Sequence, residues 1–136
     1  MILIFGGAFQ GKRDYAMREF NLSDEDIMQI EHFPPETDIK SPKPELDFHS
    51  KAVSGFENFV LACLKAGESP ENYINRHEEQ LKNMIIISDD ISQGLVPMDP
   101  LDREWREATG RCLVQLADKA DTVIRIFCGI PEVIKQ

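Results

Sequence analysis

Met1-Ile2-Leu3-Ile4-Phe5-Gly6-Gly7-Ala8-Phe9-Gln10-Gly11-Lys12 is the stretch whose reading decides the fold. Five apolar residues run without a break and stop at a glycine pair, which suits a strand buried in a parallel sheet. From Lys12 to about Phe20 the spacing changes, and Tyr15, Ala16, Glu19 and Phe20 can line one helical face. Between strand and helix, Gly6 to Lys12 fits GxxxxGK. Glycines let backbone N–H groups turn inward around a phosphate. The helix that follows aims its positive end at the same anion. Lys12 adds a full charge for the outer phosphates. Gly6, Gly7, Ala8, Phe9, Gln10, Gly11, Lys12 and the adjoining Arg13 are therefore the candidate nucleotide-binding residues. The motif normally ends in Ser or Thr, whose hydroxyl binds Mg²⁺. Arg13 cannot ligate a cation; it either contacts a phosphate or points to solvent. The alternative is a glycine-rich turn that binds nothing, but such a turn does not require a lysine there.

The sequence has 136 residues, 42% hydrophobic and 29% charged, which reads as one globular domain over 1–136. No apolar run approaches the roughly 20 residues that cross a membrane. The apolar segment 1–5 has no basic region before it and no small-residue cleavage site after it, so a strand is expected and not a signal peptide. The net charge of -9 repels nucleic acid and anionic lipid, so any phosphate must be gripped locally. Cys63, Cys112 and Cys128 are scattered and form no CxxC pair. They are expected to be reduced core residues of a cytoplasmic protein.

Further along, Asp26 to Phe33 reads as a short strand. Pro34, Pro35, Pro42 and Pro44 punctuate a long polar loop. Lys51 to Ala66 carries a helical pattern through Val53, Phe56, Phe59, Val60 and Leu64, with Gly67 as its stop. Ser69-Pro70 starts another helix, expected to be mostly exposed, running to Lys82. Met84 to Ile87 is a second apolar run, ending in Ser88-Asp89-Asp90. Gly94 to Pro100 reads as a loop, Leu101 to Ala120 as a long amphipathic helix, and Thr122 to Cys128 as the last strand, stopped at Gly129-Ile130-Pro131. Alternating strands and helices imply an α/β fold with a mainly parallel sheet.

In open α/β sheets, ligands sit beyond the C-terminal strand ends. Asp89 and Asp90 lie there, on a strand expected beside the first. They could hold Mg²⁺, directly or through water, or accept a hydroxyl proton. Alternatively Asp89 caps a turn and Asp90 faces water. Arg103, Arg106 and Arg111 read as a salt-bridged surface with Glu104 and Glu107, unless one arginine reaches a phosphate. Trp105 reads as packing. His32, His49 and His77 show no metal spacing, and only His49, after the proline-rich loop, has a plausible active-site position.

Several segments together resemble the bifunctional adenosylcobinamide kinase/adenosylcobinamide-phosphate guanylyltransferase family. Gly6 to Lys12 is similar to its G-G-A-R-S-G-K, Ser88 to Pro97 to its T-N-E-V-G-x-G-I-V-P, and Trp105 to Arg111 to its F-R-D-x-x-G-R. Ala117 to Asp121 resembles A-x-x-A-D, and Cys128 to Lys135 resembles S-G-I-P-x-x-I-K. The resemblance implies a P-loop NTPase-like (RecA-like), mainly parallel sheet flanked by helices in three layers, assembled as a homo-oligomer. It implies phosphorylation of the adenosylcobinamide hydroxyl with ATP or GTP, then transfer of GMP through a histidine, within cobalamin biosynthesis. Lys12 and Asp90 would be catalytic, Asp90 standing where the family has Glu. Asp89 and Asp90 would face Mg²⁺. The chain departs from the family at Arg13, Asp89-Asp90, Ser92 and Leu113-Val114. Its middle is shorter and has no His followed by Arg and Trp. A non-catalytic nucleotide-binding homologue is the alternative reading.

Overall fold

The computed structural model describes residues 1–31, 44–92 and 99–136. His32, Pro34, Pro35, Pro42 and the Gly94–Pro97 part of the second loop lie outside the described residues.

The strands are β1 (Ile2–Gly6), β2 (Ile27–Gln29), β3 (Ala52–Ser54), β4 (Ile85–Asp89), β5 (Thr122–Phe127) and β6 (Ile130–Lys135). The helices are α1 (Lys12–Glu19), α2 (Phe56–Lys65), α3 (Pro70–Arg76), α4 (Glu78–Leu81) and α5 (Pro100–Lys119). One six-stranded sheet runs in the order β2-β3-β4-β1-β5-β6. Every neighbouring pair is parallel except β5–β6.

Side-chain alternation along the strands separates two apolar layers. Leu3, Val53, Ile86 and Val123 face one way and pack with Phe56, Phe59, Ile74, Ala108, Cys112 and Leu116 from α2, α3 and α5. Ile4, Ala52, Ile85, Ile87, Ile124 and Ile126 face the other way, under Tyr15 and Ala16 of α1. The result is the expected three-layer α/β arrangement. Each large apolar side chain withdrawn from water contributes about 1.5–3 kcal/mol, so the two isoleucine-rich strands β1 and β4 hold the centre.

Chain direction then fixes where a ligand can sit. From β1 the chain passes through α1 to the far edge at β2, and from β4 it passes through α5 to the opposite side at β5. The connections diverge between β1 and β4, which leaves a crevice at their C-terminal ends. The register sets Gly6 beside Asp89 there.

Four expectations need correction. The segment 51–66 is not all helix, because Ala52, Val53 and Ser54 form β3 and are buried. Three buried residues without alternation carry no strand period, and Gly55 at φ 83 separates them from α2. Thr122–Cys128 is not the last strand. Cys128 and Gly129, both at positive φ, make a two-residue turn that returns the chain as β6. The helix after Ser69 is mostly exposed and Ser69 caps it by accepting from the Asn72 N–H, but it does not run unbroken to Lys82: it divides at His77 into α3 and α4, with Pro70, Tyr73, Ile74 and Leu81 buried. Cys128 is not a core residue but exposed in that turn, whereas burial pushes the Cys63 and Cys112 thiols up to about 12.

Candidate functional site

Residues 6–12 do form the loop between β1 and α1. Its backbone is shaped by left-handed residues at Phe9 (φ 58) and Gly11 (φ 86). Gly6 has a different reason to be glycine: a Cβ there would overlap the carbonyl oxygen of Ile126 in β5. The glycine thus lets two backbones pass closely beneath the loop.

Lys12 is the first residue of α1 and is buried. Its Nζ donates to the Gly7 carbonyl oxygen at 2.6 Å and lies 2.6 Å from Oδ1 of Asp89. The ammonium therefore sits at the mouth of the β1–β4 crevice, held by the loop on one side and the tip of β4 on the other. A cavity of about 550 Å³ opens here, lined by the loop from Ala8 to Asp14 and by Gln29, Ser54, Gly55, Glu57, Ile87 and Asp89.

Two helices begin at this cavity, and neither has a side-chain cap. α1 starts after Gly11 and α2 after Gly55, both left-handed glycines. Elsewhere α3 is capped by Ser69 and α5 by Asp99, while the four-residue α4 has no side-chain cap. Uncapped first-turn N–H groups and the positive ends of two helices face the same space, an arrangement suited to an anion.

Glu57 is the residue that sequence reasoning missed. It is only 6% exposed, on the first turn of α2. Its Oε2 accepts from the Asp89 N–H at 3.0 Å and from Ser88 Oγ at 3.5 Å. Burial, and then the charge of Asp89, hold its carboxyl above the usual carboxylate range. A raised folded-state pKa means that stability falls as pH rises through that value and is regained toward the ordinary glutamate value. Glu57→Gln keeps an acceptor for the Asp89 N–H. It is expected to raise the thermal midpoint at neutral pH and flatten this dependence, read by thermal denaturation across pH.

The other expected site residues are placed differently. Asp90 does not line the cavity: its Oδ1 accepts from Ser92 N–H at 3.0 Å and Ser92 Oγ at 2.5 Å, closing a turn. Arg13 borders the cavity, but its guanidinium is 2.7 Å from Asp24 Oδ1. The Phe9 side chain is fully exposed. Arg111 pairs with Glu71, and Arg106 donates to the Ser92 carbonyl. Trp105 packs on the core and donates to the Glu57 carbonyl at 2.7 Å. His49 is exposed, and His77 stacks on Phe48 and Tyr73.

These positions test the expected Mg²⁺. The hydroxyl that would hold it is replaced by Arg13, Asp89 is engaged by Lys12, and Asp90 closes a turn. Among the described residues no three His, Cys, Asp or Glu side chains converge as a metal site. The donor set does not fit a resident Mg²⁺.

No curated protein matches the chain. A family model described as cobinamide kinase / cobinamide phosphate guanyltransferase matches residues 57–134. The match takes in Glu57 on α2, Asp89 on β4, all of α5 and most of the β5–β6 hairpin, and leaves Gly6 to Lys12 outside it. It spans more than half of the chain, and with the α/β sheet described above the conclusion is that the chain belongs to the cobinamide kinase / cobinamide phosphate guanyltransferase family.

Proposed function

We propose that this chain, as a single domain over 1–136, binds ATP or GTP at Gly6–Lys12 and transfers a phosphoryl group to the hydroxyl of a cobinamide-type corrinoid. The observation that carries the reading is the buried Lys12 ammonium, set at the uncapped start of α1 and facing the cavity. In this reading Lys12 and the first-turn N–H groups of α1 hold the outer phosphates, which take over the Lys12 Nζ donors now directed at Gly7 and Asp89. Until a phosphate arrives, Asp89 keeps Lys12 aimed inward. Glu57 accepts the proton of the attacking hydroxyl as its oxygen bonds the outer phosphorus and the nucleoside diphosphate leaves. A raised pKa suits that role, because the carboxylate is a stronger base than an ordinary glutamate.

The proposal is confined to phosphoryl transfer. The family resemblance implies guanylyl transfer through a histidine, and among the described residues neither His49 nor His77 lines the cavity. Assembly into a homo-oligomer belongs to the same reading: Phe127, Ile130, Val133 and Ile134 expose apolar surface on the outer hairpin, of the kind that subunit contacts cover. Among the described residues no helix is long and apolar enough to cross a membrane.

Incubating the purified chain with γ-labelled ATP or GTP and adenosylcobinamide should yield a labelled corrinoid phosphate. Nucleotide binding with no product would instead favour a non-catalytic nucleotide-binding homologue. The attachment of Arg13 to Asp24, where a hydroxyl normally stands, is the observation that favours this second reading. Absence of binding removes both.

A further inference from the structure

A glycine-rich loop is costly to hold open. Its backbone has many conformations to lose when it wraps a ligand. In this chain the tip of the loop includes Phe9, a non-glycine residue at φ 58. The Phe9 side chain is fully exposed, so no packing of its own keeps it in the left-handed region.

The next residue makes the contacts that can. Gln10 Oε1 accepts from the Cys128 N–H at 2.6 Å, and the Gln10 carbonyl oxygen accepts from the Gly129 N–H at 2.9 Å. Two successive backbone donors of the β5–β6 turn thus converge on one loop residue, 118 positions away in sequence. They can do so because both turn residues have positive φ, 51 at Cys128 and 74 at Gly129. The contact is also close in space: a Cβ placed on Gly11 would lie 3.6 Å from the Gly129 Cα. On the opposite side of the loop, Lys12 Nζ is bonded to the Gly7 carbonyl.

We propose that Gln10 is a positioning residue, through which the β5–β6 turn braces the phosphate loop in its binding shape before any ligand arrives. The inference rests on the nucleotide reading above. Gln10 touches no reacting atom in it. The residue works by fixing the backbone on either side of it, Phe9 and Gly11, so that the N–H groups of the loop are already turned toward the anion. Ordering is then completed on folding and not charged against nucleotide affinity.

The test uses the full chain and two readouts. Gln10→Ala removes the side-chain acceptor. It should weaken ATP or GTP binding by about five- to tenfold in calorimetry, the loss expected of one hydrogen bond and the order it imposes. The thermal midpoint should change little, and amide exchange at Cys128 should become clearly faster. Gln10→Glu retains an acceptor at the same reach and should restore protection at Cys128. Wild-type affinity in Gln10→Ala overturns the brace. So does weaker binding with the Cys128 amide still protected, because Gln10 would then be acting on the ligand directly. If the wild-type chain binds neither ATP nor GTP, the nucleotide reading fails, and the exchange rates at Cys128 alone decide whether Gln10 holds the loop.

Discussion

Lys12→Ala is expected to weaken ATP or GTP binding by about 100-fold, with the fold intact. The size follows from where the charge sits. The Lys12 side chain is 8% exposed, so its ammonium has little water to lose when a phosphate arrives. It now has two oxygens close by, from Gly7 and Asp89. A phosphate offers oxygens of higher charge at the same place. Removing one partner of a desolvated, charge-assisted contact of this kind costs about 2–5 kcal/mol, which brackets a factor of 100. Among the described residues lining the cavity the other cation is Arg13, and its guanidinium is held by Asp24 on the surface. Isothermal titration with each nucleotide, beside circular dichroism of the variant, measures both parts. Equal affinity in the variant and the wild type would falsify the assignment of the loop as the nucleotide site.

The loop was legible because its meaning is local. An apolar strand, a glycine-rich turn and a lysine at the start of a helix are adjacent in sequence and carry their geometry with them. The same holds for β4, whose uninterrupted isoleucines announced a central strand and put Asp89 at its tip. Asp90 shows the limit of that argument. Adjacent residues at a strand end point in different directions, and only the turn at Ser92 decides that Asp89 faces Lys12 while Asp90 does not. Arg13 was visible as a departure, but its attachment to Asp24 depends on the short 3-10 turn over Asp24–Asp26, which sequence spacing did not show.

Glu57 and the brace at Gln10 were not legible, for a common reason. Each depends on an element too short or too exposed to have a period. β3 is three buried residues, so the chain around it reads as the start of a helix, and Glu57 falls outside the apolar pattern that marks that helix. β6 is exposed along its whole length, so it lacks the alternation that marks a half-buried strand. Without β6 there is no hairpin, and without the hairpin the Cys128 and Gly129 amides have no reason to lie beside Gln10. A useful signal was present in both places: Gly55 and Gly129 stand where a strand ends abruptly, each at a positive φ that glycine accepts and other residues resist.

Gly55→Ala should be strongly destabilising, costing about 3–6 kcal/mol. Three terms act together. The residue is at φ 83 and ψ 34, where an L side chain costs about 1–2 kcal/mol. The added Cβ would overlap the Ile30 carbonyl oxygen, and overpacking against backbone costs about 1–3 kcal/mol. Moving that carbonyl also breaks the bond it accepts from Asn58 Nδ2 at 3.0 Å, a loss of about 1 kcal/mol. For a domain of this size the thermal midpoint should fall by about 10–25 °C. Gly67→Ala separates these contributions: Gly67 is also left-handed, at φ 71, but a Cβ there meets nothing within 4 Å. It should lose only the conformational part, about 1–2 kcal/mol, and leave binding unchanged. Gly55→Ala has a second consequence that Gly67→Ala lacks. α2 begins at this glycine, and Glu57 follows two residues later with its carboxylate on the Asp89 N–H. A shift at the start of α2 displaces Glu57 from the tip of β4. Corrinoid phosphorylation should therefore drop by more than the folded fraction accounts for. Equal midpoints for the two variants would show that the close approach of Ile30 to Gly55 is not what sets the start of α2.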